Sequence, residues 1–179
     1  YCPPPLQCGA LPAAADRDRG LSGRAVDCDE VAALLVDQGF ERLVLQIGTT
    51  GAYRPCQLLP EGQGAGRHGS GLQVEVFTLV PSLADYISQA DLVVSHAGAG
   101  SLFEALRAGK KVLAVPNGAL MDNHQIELAS ELAAQKFLFW CEVAGLQGAL
   151  TDLDQQSLVP YVPGSIHDMI QAIDKAVGW

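Results

Sequence analysis

Between residues 27 and 141, short apolar runs rich in β-formers alternate with stretches patterned for helix, and this alternation admits few folds. "RLVLQIG" (42–48) reads as a buried strand, and "LQVEVFTL" (72–79) alternates as a strand does. "DLVVSH" (91–96), "KVLAVP" (111–116) and the shorter "KFLFWC" (136–141) follow. Between them lie helices. "CDEVAALLVDQGF" sets Val31, Leu34, Leu35 and Gln38 at helical spacing, with Gly39 as its stop. Ser82 with Asp85 opens a short helix, "SLFEALRAG" gives another, and residues 122–136 a third. Ile166, Met169, Ile170, Ile173 and Val177 repeat on one face of a final amphipathic helix. Strands separated by helices of this length make βαβ units. The expected class is therefore α/β, with a Rossmann-like parallel sheet. In such sheets ligands bind beyond the carboxyl ends of the strands.

Composition narrows the chemistry. A net charge of −9 argues against a nucleic-acid partner, which calls for a basic face. With 179 residues, 49% of them apolar, the chain suits one domain with a real core. No apolar stretch reaches the roughly 18 residues of a spanning helix, and the first residues lack the basic-then-apolar pattern of a signal peptide. Five cysteines without a C-x-x-C pair fit reduced thiols rather than a disulfide scaffold or a metal site. Residues 1–26 carry four prolines, mixed charges and little periodicity, so they are expected to form a disordered or atypical N-terminal segment ahead of a domain at 27–179. The chain opens on Tyr1 rather than Met, so it is expected to be a fragment or to begin at other than a true start. Residues 49–71, rich in glycine and polar residues, read as a long surface loop.

Two polar clusters fall at the same rim. "HAGAGS" follows one strand and opens a helix. Its glycines let backbone approach a ligand, and a helix N-terminus offers free N–H groups and a positive dipole end to a phosphate. Gly98, Ala99 and Gly100 resemble the start of a dinucleotide fingerprint, but Phe103 stands where the third glycine belongs, which argues against NAD. Ser101 and Glu104 also spell a capping box, S-x-x-E, which would satisfy two helix donors with no ligand present. Equally, a carboxylate one turn into that helix could accept from ribose hydroxyls. Asp122 and Gln125 match a D-x-x-Q cap, leaving Asn123 and His124 as polar residues facing the rim. His96, at a strand end, could contact a phosphate or act as a base.

The paired signature "SHAGAGS" (95–101) and "LMDNHQ" (120–125), within "ADLVVSHAGAGSLFEAL…GKKVLAVPNGALMDNHQIELASEL", resembles the C-terminal half of glycosyltransferase family 28. The likeness is close over residues 90–141, fair over "GFERLVLQIG" and "VEVFTLVPSLADYI", and loose thereafter. It implies the donor-binding half of a GT-B glycosyltransferase. It further implies UDP-N-acetylglucosamine as donor substrate, no cofactor and no metal, and inversion to a β1,4 bond. The implied acceptor is dolichol-diphosphate-N-acetylglucosamine, at the second step of lipid-linked oligosaccharide assembly for N-glycosylation. A membrane-anchored subunit would bind the acceptor, supply the general base and recruit a cytoplasmic chain to the endoplasmic reticulum surface. Carried over by position, Gly98, Ala99, Gly100 and Ser101 would face the diphosphate and Glu104 the ribose, with His96 nearby. His124 and Gln125, with Asn123 beside them, would reach the donor sugar. The final helix would dock on the partner.

The family opens with a strand ending in a G-T-T-like loop, and residues 1–26 do not read that way. The sequence therefore leaves the first strand possibly missing. It also leaves two further functions open: a non-catalytic interaction variant, and a stand-alone transferase, for which the chain is short.

Overall fold

The computed structural model describes residues 25–47, 55–60, 63–116, 124–153, 155 and 157–164. Within them the order is α1 (Asp29–Asp37), β1 (Arg42–Gln46), β2 (Ala65–Arg67), β3 (Gln73–Phe77), α2 (Ala84–Gln89), β4 (Leu92–Ser95), α3 (Ala99–Arg107), β5 (Lys111–Ala114), α4 (His124–Ala134), β6 (Phe139–Trp140), a 3-10 turn at Val143–Gly145 and α5 (Leu146–Thr151).

The strands form two three-stranded sheets. In one, β1 pairs parallel with β3, and β2 adds antiparallel on the far edge. In the other, β4, β5 and β6 run parallel. Both sheets lie in a single layer, as alternation shows. Leu43, Leu45, Leu92, Val94 and Leu113 share one core with Val31 and Leu35 of α1 and Leu146 and Leu150 of α5. Val44, Val93, Val112 and Ala114 point the other way, into a core with Ile87 of α2, Leu102 and Ala105 of α3, and Ala129 of α4. Period-two side chains thus feed both cores from both sheets, and helices cover both faces. The sheets also run in the same direction. Gln38 and Phe40 before β1, Asp91 before β4, and Lys110 and Lys111 line one cavity of about 250 Å³ at the amino ends. Among the described residues no ladder joins β1 to β4, although both strands are buried.

One sequence expectation changes. The stretch read as an unbroken loop at 49–71 contains β2, so the sheet is mixed rather than purely parallel. Its residues, Ala-Gly-Arg, have little β propensity. The turn after them folds it back: His68 N–H donates to Leu72 O (2.8 Å), Gly71 takes φ +97°, and Arg67 Nη1 donates to Gly71 O (3.1 Å). The His68 ring ties this turn to α1 through Asp29 (3.0 Å). Val26 is already core, packed from the residues just before α1. Next to it, buried Asp27 accepts three backbone N–H bonds, from Cys56 (2.9 Å), Gln57 (3.2 Å) and Leu58 (2.9 Å). These charge-assisted bonds pin the descending loop so that Leu58 and Leu59 reach the core. Residues 1–24, where the family's first strand was sought, and the expected final helix lie outside the described residues. Among the described residues Cys28, Cys56 and Cys141 are free thiols, and no helix is long and apolar enough to cross a membrane.

Candidate functional site

The carboxyl ends of β4 and β5 are clamped together by Val115 N–H donating to Ser95 O (2.7 Å). From this rim the chain turns through His96, Ala97 and Gly98 into α3. The first helical bond runs from Leu102 N–H to Gly98 O (3.0 Å). Gly98 is the N-cap, extended at φ −64° and ψ 125°, and no side chain caps the helix. The amides of Ala99, Gly100 and Ser101 therefore have no acceptor within the helix, since the first turn of any α-helix leaves its donors open. They sit at its positive dipole end.

This geometry removes the capping-box reading. Ser101 is the third residue of α3, not its cap, because the helix starts three residues earlier than the S-x-x-E spacing assumes. Glu104 lies on the sixth residue, exposed, a turn and a half beyond the cap. It is free to accept from a ligand.

The turn is built differently from what its glycines suggest. The residue with left-handed backbone is Ala97, at φ +71°, fully buried in the core beneath α3. Such a conformation costs a non-glycine residue about 1–2 kcal/mol. Gly98 is needed for space instead: a Cβ there would lie 2.8 Å from His96 Nε2 and 3.0 Å from Cε1. The imidazole is thus packed against the N-cap backbone. A Cβ on Gly100 would meet nothing within 4 Å among the described residues, so a side chain has room there. Ala97 was not legible in the sequence, because an alanine between a histidine and a glycine carries no turn signal.

The second polar cluster is placed by α4, which starts at His124. Gln125 is half-buried in its first turn. The expected D-x-x-Q cap, Asn123 and the side chain of His124 lie outside the described residues. Both α3 and α4 open after parallel strands of one sheet, so their first turns share a rim. Burial pushes the thiol of Cys141, just past β6, up to about 11, which disfavours the thiolate that a nucleophile needs.

The model of the glycosyltransferase family 28 C-terminal domain matches residues 24–173. The UDP-N-acetylglucosamine transferase subunit ALG13 of Homo sapiens is 38% identical over 130 residues, 73% of this chain and 10% of that protein. The subunit of the same name from Eremothecium gossypii is 33% identical over 152 residues, covering 74% of each chain. The chain therefore spans about a tenth of its human relative and about three quarters of the fungal one. In fold it is similar to the solution structure of ALG13, with a TM-score of 0.64 at 24% identity, covering 93% of this chain and 94% of that one. It is also similar to Acinetobacter baumannii MurG, with a TM-score of 0.59 at 20% identity, covering 87% of this chain and 42% of that one.

Proposed function

Because the chain belongs to the glycosyltransferase family 28 C-terminal domain family, we propose that it is the donor-binding subunit of an inverting N-acetylglucosaminyltransferase. The donor is UDP-N-acetylglucosamine and the acceptor dolichol-diphosphate-N-acetylglucosamine. A membrane-anchored partner supplies the acceptor half and the general base, and brings the chain to the cytosolic face of the endoplasmic reticulum. The relatives named as subunits of a UDP-N-acetylglucosamine transferase support this reading.

One observation carries the donor site: the uncapped first turn of α3 at the carboxyl rim. Three amides and a helix dipole there suit the diphosphate. As the sugar leaves, negative charge grows on UDP, and preorganised donors stabilise that charge without reorganising. No metal is required by this arrangement. Glu104 faces the ribose hydroxyls, while His124, Gln125 and Asn123 reach the sugar. His96 keeps the turn in shape from beneath.

Titration calorimetry with UDP tests the assignment. Glu104→Gln should weaken binding by about 1.5–3 kcal/mol, the value of a hydrogen bond to a charged group. Its melting temperature should stay level, since Glu104 caps nothing. Unchanged affinity in this variant would remove Glu104 from the site.

A further inference from the structure

Three polar side chains are buried among the described residues: Asp27, Gln46 and Ser95. Asp27 is accounted for by its three backbone donors. The other two share a location. Gln46 is the last residue of β1 and Ser95 the last of β4, so both stand at the carboxyl rim. Alternation puts both on the α3 face, since Val44 and Val93, two residues earlier in each strand, pack in the core under α3. They flank the space where no described ladder joins β1 to β4. Gln46 is 7% exposed and Ser95 1% exposed, and Ser95 Oγ has no partner among the described residues. A buried hydroxyl without a partner costs about 1–3 kcal/mol, so a folding role alone favours alanine there.

What these two groups share is donor chemistry beside an anion-seeking helix end. The free amides of Ala99, Gly100 and Ser101 begin four residues beyond Ser95. Resting on the donor-site reading above, we propose that Gln46 and Ser95 form the inner wall of the diphosphate site. The Gln46 carboxamide N–H and the Ser95 hydroxyl donate to phosphate oxygens that the α3 amides hold from the other side. Ser95 Oγ is buried in the described conformation, two residues before the turn at the left-handed Ala97. A phosphate reaches the hydroxyl as that turn relaxes. The subsite recognises the phosphates, not the nucleoside.

Calorimetry with UDP and with uridine, run beside thermal melts on Gln46→Met and Ser95→Ala, tests this. Each variant should raise the Kd for UDP about tenfold, a single charge-assisted hydrogen bond's worth. Uridine binding should not change, and neither melting temperature should fall. Retained UDP affinity in both variants overturns the proposal, as does an equal loss for UDP and uridine, or a lowered melt with affinity intact. Glu104→Gln separates the levels. If it loses UDP affinity while the two wall variants keep theirs, only the wall is wrong. If the unaltered chain binds no UDP, the donor-site reading falls and the wall with it.

Discussion

At the scale of single residues, Gly98 and Gly100 look alike in the sequence and do opposite jobs. Gly98→Ala drives a methyl into the His96 ring, and overpacking of this kind costs about 1–3 kcal/mol. Its melting temperature should fall. Gly100→Ala meets open space and replaces a helical glycine, a gain of up to about 1 kcal/mol in helix propensity. It should melt higher yet bind UDP more weakly, because the new methyl adds bulk beside the free amides of the proposed site. A melt and a titration on the pair check both signs. The sequence singled out this turn. It could not show that alanine, not glycine, takes the left-handed backbone, because that follows from α3 packing Ala97 into the core. Cys141 gives a second check. Its pKa is raised by burial from 9.0 to about 11, so the folded state favours the neutral thiol. The stability this contributes is complete below pH 9 and is lost as pH rises through about 11. Melts between those pH values should show a loss that Cys141→Ala lacks, and iodoacetamide should label exposed Cys56 before Cys141.

At the scale of elements, three helices end alike. Gly39, Gly109 and Lys136 all have positive φ, and the two backbone bonds of a Schellman stop follow each time. After α4, for instance, Phe137 N–H donates to Leu132 O (3.0 Å) and Lys136 N–H to Ala133 O (2.9 Å). The two glycine stops were legible. Lys136 was not, because lysine does not announce a left-handed residue; the fold imposes it so that the chain can turn into β6. Lys136→Gly should therefore stabilise by about 0.5–1 kcal/mol, the left-handed penalty less the extra entropy of an unfolded glycine. At this chain length that is roughly 1–4 °C in melting temperature. The start of α3 was misjudged for a related reason. A capping box is read from side chains, whereas Gly98 begins the helix with backbone alone. In β2, similarly, pairing with β3 overrides weak propensity.

At the scale of the molecule, the alternating pattern was enough to give the α/β class, the parallel β4–β5–β6 sheet and the rim that carries the site. Long-range ties were beyond it. Nothing in the sequence links Asp27 to residues 56–58, or seats Tyr161 against both Phe103 of α3 (5.8 Å between rings) and Phe137 (5.3 Å). Such contacts depend on how layers stack, not on local period. The proposed donor site draws on elements of both sheets, so ligand binding should register as global stability. At a UDP-N-acetylglucosamine concentration of 100 times its Kd, the fold should gain about 2.7 kcal/mol. A thermal shift that grows with ligand concentration checks it, and a flat melting curve across the titration counts against a site on the folded rim.

The absence of a described ladder between β1 and β4 has a mechanical meaning. Within each sheet, load passes along a row of backbone bonds that must break together. Between the halves, among the described residues, it passes through interlocked side chains, which slide and yield one at a time. The described strands are therefore stiffer along their ladders than across that line, like boards held by glue rather than nails. A nucleotide bound across that line, as proposed, would act as the nail, so the proposed donor would also set how rigid the protein is.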